Sequence, residues 1–162
     1  GSVSKTLSPG LRIGWIVGPE PVIERLADIK MQTDYGSSSL SQYAVDKWLR
    51  SGLYDDFLEE IKVELKFRSD FTIHILKKYF TEIATWSVPK GGFYIWLRLQ
   101  SGVSTRKLFD LALREGILLN PGSIYENNDY QHLRISYSFA SLDQLEKGLI
   151  YLAQLIKSYT IN

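Results

Sequence analysis

Ser2-Val3-Ser4-Lys5-Thr6-Leu7-Ser8-Pro9-Gly10-Leu11-Arg12-Ile13-Gly14-Trp15 sets one lysine among small hydroxyls and follows it with an arginine behind a Pro-Gly turn. A free lysine, with a pKa near ~10.4, is almost wholly protonated at neutral pH and is a poor nucleophile. Condensation of the deprotonated amine with an aldehyde yields an imine and water, provided the rest of the aldehyde-bearing molecule is held so that its carbon stays near the amine. Ser2 and Ser4 can donate hydroxyl hydrogen bonds beside the amine, and Arg12, always charged and forked, suits a phosphate dianion better than a lysine would. Proline 9 fixes φ and Gly10 is read as the position that permits a positive φ. Ser-x-Ser-Lys by itself is short and common and reads as a solvated loop lysine; the full run carries the chemical reading. Because the motif sits at the start, the residues completing its pocket are expected before Gly1, and the chain is expected to be a piece of a larger fold.

Composition narrows the classes. The chain has 162 residues, 44% hydrophobic and 23% charged, ordinary for a globular domain with its own core. Cysteine is absent, which leaves no disulfide framework and no thiolate metal site, and His74 and His132 are too few for a histidine-rich one. Nineteen basic and eighteen acidic residues give +1, and the longest basic clusters are pairs such as Lys77-Lys78. A nucleic-acid footprint is therefore missing from this segment. No apolar run approaches the ~20 residues of a membrane span, and the first residues lack the apolar region of a signal peptide. A cytoplasmic location is expected.

Ile13 to Val17, enclosed by glycines, reads as a short buried strand. Pro19 and Pro21 open a helix with Val22, Leu26, Ile29 and Thr33 on its apolar side, and Leu40 to Arg50 forms another. The most periodic segment is Tyr54, Leu58, Ile61, Leu65, Arg68, Thr72, Ile75 and Tyr79, one face of a long helix. Strands are expected at Trp86 to Val88, Phe93 to Leu99, Ile117 to Leu119 and Leu133 to Ser138, with a helix from Ser104 to Glu115 stopped by Gly116. Ser141 and Gln144 form a capping-box pattern ahead of Leu142, Leu145, Leu149, Leu152 and Ile156. The order suggests an α+β lobe from about Glu60 onward joined to the end of another lobe.

The opening run resembles the lysine segment of fold-type I, class I aminotransferases, approximately Ser-x-Ser-Lys followed by Pro-Gly-x-Arg-x-Gly. Pro89-Lys90-Gly91-Gly92-Phe93-Tyr94-Ile95-Trp96 is similar to the family's Pro-x-Gly-Gly strand. Gly116-Ile117 through Pro121-Gly122-Ser123 is similar to its Gly-x-x-x-x-Pro-Gly segment, and Leu133-Arg134-Ile135-Ser136-Tyr137 to its Leu-Arg-x-Ser-x strand. The resemblance implies an α/β and α+β architecture: the C-terminal edge of the aminotransferase large domain over residues 1–59 and the complete small domain over 60–162. It implies pyridoxal 5'-phosphate as cofactor, Lys5 as its Schiff-base residue, and Ser2, Ser4 and Arg12 at its phosphate. Arg134 becomes a bidentate clamp on a substrate α-carboxylate, which agrees with the need of a strand arginine for an anionic partner if buried.

The resemblance covers about the last two-fifths of the family's length, without the other cofactor contacts. The chain alone is therefore expected neither to hold pyridoxal phosphate tightly nor to catalyse transamination. Two parents stay open. One is a MocR-type regulator of the GntR superfamily, whose aminotransferase-like domain senses an amino-acid-like ligand and whose separate N-terminal domain binds DNA. The other is a free-standing aminotransferase acting on an α-amino acid and a 2-oxo acid. The wording Ser-Lys-Thr-Leu-Ser-Pro-Gly-Leu-Arg, Gly-Gly-Phe-Tyr-Ile-Trp-Leu-Arg-Leu and Ile135 to Leu142 is more similar to the regulators. Gly1-Ser2 matches the family's Gly-Ser and equally matches a cloning scar. A homo-oligomer is expected, since fold-type I proteins share active sites across a dimer.

Other features take ordinary readings. Trp15, Trp48, Trp86 and Trp96 are read as core. Asp55, Asp56, Glu59 and Glu60 favour a helix N-terminus, and Arg68 is read as an intramolecular salt bridge. Ser123 and Tyr125 sit in a loop near the implied pocket and receive no role.

Overall fold

A computed structural model describes residues 1–100 and 102–160. It divides into two compact units, Gly1–Ile61 and Lys62–Asn162.

The first unit is a loop followed by helices. After the loop come α1 (Glu20–Asp34), α2 (Ser39–Arg50) and the start of α3 (Leu53–Tyr79). Pro21 sits in the first turn of α1, where its missing N–H costs nothing. Tyr35, at φ 54, ends that helix. The Ser38 hydroxyl caps α2 by accepting from the Ser41 N–H at 3.3 Å. Trp48 of α2 meets Phe57 of α3 edge-on at 6.2 Å.

One expectation fails here. Ile13 to Val17 is not a buried strand: Gly1 and Val3 take backbone bonds of Trp15 and Ile13, but Ile16 and Val17 have no such partner among the described residues and are 67% and 89% exposed. An apolar run continues as a strand only as far as a neighbouring backbone takes its hydrogen bonds. Val22, Leu26 and Ile29 lie on one side of α1, as expected, and are exposed. Val3 and Val45 are the buried apolar side chains of this unit among the described residues.

The second unit holds the core. α3 runs the full length that its periodicity predicts, and Thr72, Ile73, Ile75 and Leu76 are buried near its end. β1 (Ala84–Trp86), β2 (Tyr94–Leu99) and β3 (His132–Ser136) form an antiparallel sheet in the order β1-β2-β3. Along β2 and β3 burial alternates, so Ile95, Leu97, Leu99, Leu133 and Ile135 face the core. The outer face carries Tyr94, Trp96 and Arg98 opposite Ser136, Arg134 and His132. Trp96 is consequently 40% exposed and Trp15 52%, so neither is the core residue expected; Trp48 is half-buried against Phe57, and Trp86, also half-buried, packs against the core as expected. Ile95 and Leu97 claim the inner face of β2, and period-two alternation turns Trp96 outward.

α4 (Thr105–Arg114) ends in a Schellman arrangement: Gly116 at φ 77 donates to Leu113, and Ile117 donates to Ala112. That bond takes the Ile117 N–H, and Ile117 to Leu119 is loop rather than strand. The first strand begins at Ala84 instead of Trp86 because its register is set by Ala84 opposite Leu99. α5 (Leu142–Thr160) opens with the capping box: Ser141 N–H to the Gln144 side chain at 3.1 Å, and Gln144 N–H to the Ser141 hydroxyl at 3.2 Å. Leu145, Leu149, Leu152 and Ile156 are its buried stripe. Arg68 meets Glu64 at 2.6 Å, as expected, and also donates to the carbonyls of Ala140 (2.8 Å) and Tyr137 (3.3 Å), tying α3 to the turn before α5. No helix among the described residues is long and apolar enough to cross a membrane.

Candidate functional site

In the first unit the lysine lies on a loop closed by its own backbone. Gly1 and Trp15 exchange bonds of 2.6 and 2.9 Å, Ser2 pairs with Gly14, and Val3 N–H donates to Ile13 at 3.2 Å. A Cβ on Gly14 would stand 3.0 Å from the Gly1 carbonyl, so the strands approach this closely because residue 14 has no side chain. The Val3 carbonyl then accepts from both Leu7 (2.9 Å) and Ser8 (3.1 Å), winding Ser4 to Leu7 into a turn anchored by the buried Val3 side chain.

Lys5 sits exposed in that turn, and its Nζ has no hydrogen-bond or ion-pair partner among the described residues. The Ser2 hydroxyl accepts from the Ser4 N–H at 3.1 Å and points its own proton at the Ile13 carbonyl, 3.4 Å away. Pro9–Leu11 is a 3-10 turn whose following residue, Arg12, has φ 54. The left-handed residue is thus Arg12 rather than Gly10, the reverse of the expectation from the Pro-Gly pair. A non-glycine residue held there costs about 1 kcal/mol or more, and such outliers cluster at functional sites. One Arg12 Nη donates to the Pro9 carbonyl at 3.0 Å, leaving its other donors on an exposed side chain. The Thr6 hydroxyl is buried with no hydrogen-bond partner, an orphan beside Lys5 that sequence reasoning passed over. A free amine, hydroxyls and a strained guanidinium on one loop fit a phosphorylated aldehyde in charge and donor set.

In the second unit Arg134 stands on the outer face of β3, directly opposite Trp96. Its N–H donates to the Asn120 carbonyl at 2.8 Å, which ties the strand to the loop after α4. The guanidinium carbon lies over the rings of Tyr94, 4.0 Å from the centroid, and Tyr125, at 4.5 Å. Its Nε is buried without a partner, and no carboxylate of the described residues pairs with it. A half-buried cation with no counter-ion offers its remaining donors to an external anion.

The neighbouring side chains continue the surface. Trp96 stacks on His132 at 5.4 Å with an interplanar angle of 18° and meets Tyr125 edge-on at 5.8 Å. The Asp129 carboxylate binds His132 Nδ1 at 2.9 Å and the backbone N–H groups of Gln131 and His132 at 3.1 Å. Burial pushes its pKa up, but the bonds from His132 and the two N–H groups outweigh that and hold it below the ordinary carboxylate value. Tyr94 is a contact that sequence reasoning missed, and Tyr125 is one that it placed near the pocket without a role. Alternation with Ile95 could have turned Tyr94 toward Arg134, whereas the place of Tyr125 depends on a loop without periodic signal.

A groove of about 710 Å³ passes between the loop after α4 and α5, lined largely by apolar side chains such as Leu118, Leu119, Phe139 and Leu149, with Arg134 at its border. No group of three metal-ligating side chains occurs among the described residues.

The family described as aminotransferase class I and II matches residues 1–151. An uncharacterized HTH-type transcriptional regulator of Bacillus subtilis, YdfD, is 53% identical over 157 residues, covering 97% of this chain and 33% of its own length. The HTH-type transcriptional regulator NorG of Staphylococcus aureus is 41% identical, covering 96% of this chain and 35% of its own. The chain therefore spans about a third of the length of these curated relatives. Among solved structures, Pyrococcus horikoshii kynurenine aminotransferase in complex with PMP superposes with a TM-score of 0.93 at 28% identity, covering 98% of this chain and 40% of that one.

Proposed function

The chain belongs to the class I and II aminotransferase family, and from that premise we propose that it forms the C-terminal part of a pyridoxal-phosphate-binding, ligand-sensing domain of a transcriptional regulator. The observation that carries the reading is the lysine loop, in which the backbone presents an unpartnered amine next to serine hydroxyls and a left-handed arginine. The regulator rather than the free-standing enzyme is supported by the 53% and 41% identical relatives, against 28% for the kynurenine aminotransferase. DNA binding would reside in a separate domain of such a protein, because the +1 chain carries no basic patch suited to it. Self-association and a cytoplasmic location belong to the same proposal.

Within it each side chain has a task. Lys5 offers its amine from an exposed turn. Ser2, Ser4 and Arg12 bind the phosphate, and Arg12 is aimed by its left-handed backbone and its bond to Pro9. Arg134 takes the carboxylate of an amino-acid-like ligand. When bound, pyridoxal phosphate supplies an aldehyde carbon to the amine and an electron-withdrawing ring. Residues 1–59 would then be the edge of the large domain and 60–162 the small domain.

Borohydride reduction of the chain mixed with pyridoxal phosphate, followed by peptide mass mapping, tests the assignment. Lys5 should be labelled in preference to the other lysines, at less than one equivalent, because most contacts of a complete pocket come from elsewhere. Labelling spread evenly over the lysines would refute the role of Lys5. A stoichiometric, tightly held adduct would refute the expectation of weak retention.

A further inference from the structure

The position of Tyr125 has a chemical consequence that Arg134 alone does not. Resting on the reading of Arg134 as a carboxylate clamp, we propose that Tyr94 and Tyr125 are positioning residues that hold its guanidinium with the Nη donors free for a carboxylate.

Arg134 lacks what normally orients a guanidinium, since no acidic partner among the described residues meets it and its Nε is buried and unbonded. What touches it are two π faces, at 4.0 and 4.5 Å from the guanidinium carbon. Such contacts attract the cation without consuming an N–H. A carboxylate ion pair would fix the same side chain but occupy the donors that a ligand needs. The donors left are those of the two Nη atoms, which a carboxylate can meet as a bidentate pair.

The two rings are themselves fixed by different means. Tyr94 is set by its register opposite Ser136 in the sheet. Tyr125 follows the short 3-10 turn Gly122–Ile124, donates its N–H to Gly122 at 2.8 Å and leans edge-on against Trp96. The Asp129 carboxylate packs on Gly122 while binding the start of β3 through His132, so the loop bearing Tyr125 is fastened to the strand bearing Arg134. Tyr94 and Tyr125 are 38% and 47% exposed, so their substitution removes little core packing.

The test follows the Arg134 Nε–H signal by ¹⁵N NMR in the whole chain, assigned with Arg134→Lys, during titration with propionate. Propionate should shift the signal saturably. Tyr125→Phe and Tyr94→Phe keep the π face and should match the wild type. Tyr125→Leu keeps bulk without the face and should bind propionate about tenfold more weakly, toward the upper part of what a desolvated cation–π contact contributes. Equal affinity of Tyr125→Leu and wild type would overturn the positioning role while leaving the clamp intact. A signal indifferent to propionate would remove the clamp itself, and the proposal with it.

Discussion

Arg12 adopts a backbone conformation that glycine reaches freely, so its structural and chemical contributions can be separated by one substitution. Arg12→Gly should raise the free energy of unfolding, by up to about 1 kcal/mol of relieved strain. The same change should abolish the preference of pyridoxal phosphate for Lys5 in the borohydride experiment. An ordinary surface arginine would show neither effect. Asp129 offers a second test, through pH. Its folded pKa is depressed, so it contributes stability that is fully present above the unfolded value of about 3.9 and is lost as pH falls through the lower folded value. Urea midpoints of wild type and Asp129→Asn should therefore differ most near neutrality and converge below about pH 4. At this scale Lys5, Ser2, Ser4, Arg12 and Arg134 were legible as a pattern of residue types. The orphaned Thr6 hydroxyl was not, and of the rings over Arg134 only the outward turn of Tyr94 and the loop place of Tyr125 were, because a contact between distant residues leaves no periodicity in the chain.

Elements were legible where their own periodicity or end signals decide them. α3 shows a stripe at spacings of four and three whose side chains are all at least partly shielded, joined near its end by the buried Ser69, Ile73 and Leu76. α5 is announced by Ser141 and Gln144, whose reciprocal bonds exist. Ser141→Ala should cost about 1 kcal/mol in thermal or urea unfolding, with Gln144→Ala losing less, since the hydroxyl serves the N–H inside the helix. Elements whose existence depends on a partner were misread. Ile13 to Val17 and Ile117 to Leu119 have strand composition, yet neither is paired along its length. Strand propensity records fitness for a sheet and not the presence of one.

Across the whole molecule, buried apolar side chains gather in the second unit: Leu76, Phe80, Leu97, Leu108, Leu133 and Leu152 are essentially inaccessible. The first unit instead exposes Val22, Ile29 and Met31 along α1, the last at 60%. Apolar area of this kind favours association. Sedimentation velocity over a range of concentrations should show dimers or larger species whose population rises with concentration. A monomer that persists at high concentration would remove self-association from the proposed function.

The chain's residue order suffices for the lysine loop motif, the long α3, the capped α5, the alternation of β2 and β3, and the family those features belong to. All of these depend on neighbours within a few positions, where spacing translates directly into a shared face or a filled cap. Which residue took the left-handed conformation, which runs found a sheet partner and which rings settled over Arg134 were decided by folding. Each depends on groups brought together across many residues, and burial and hydrogen bonding select among such contacts only once the chain has closed on itself.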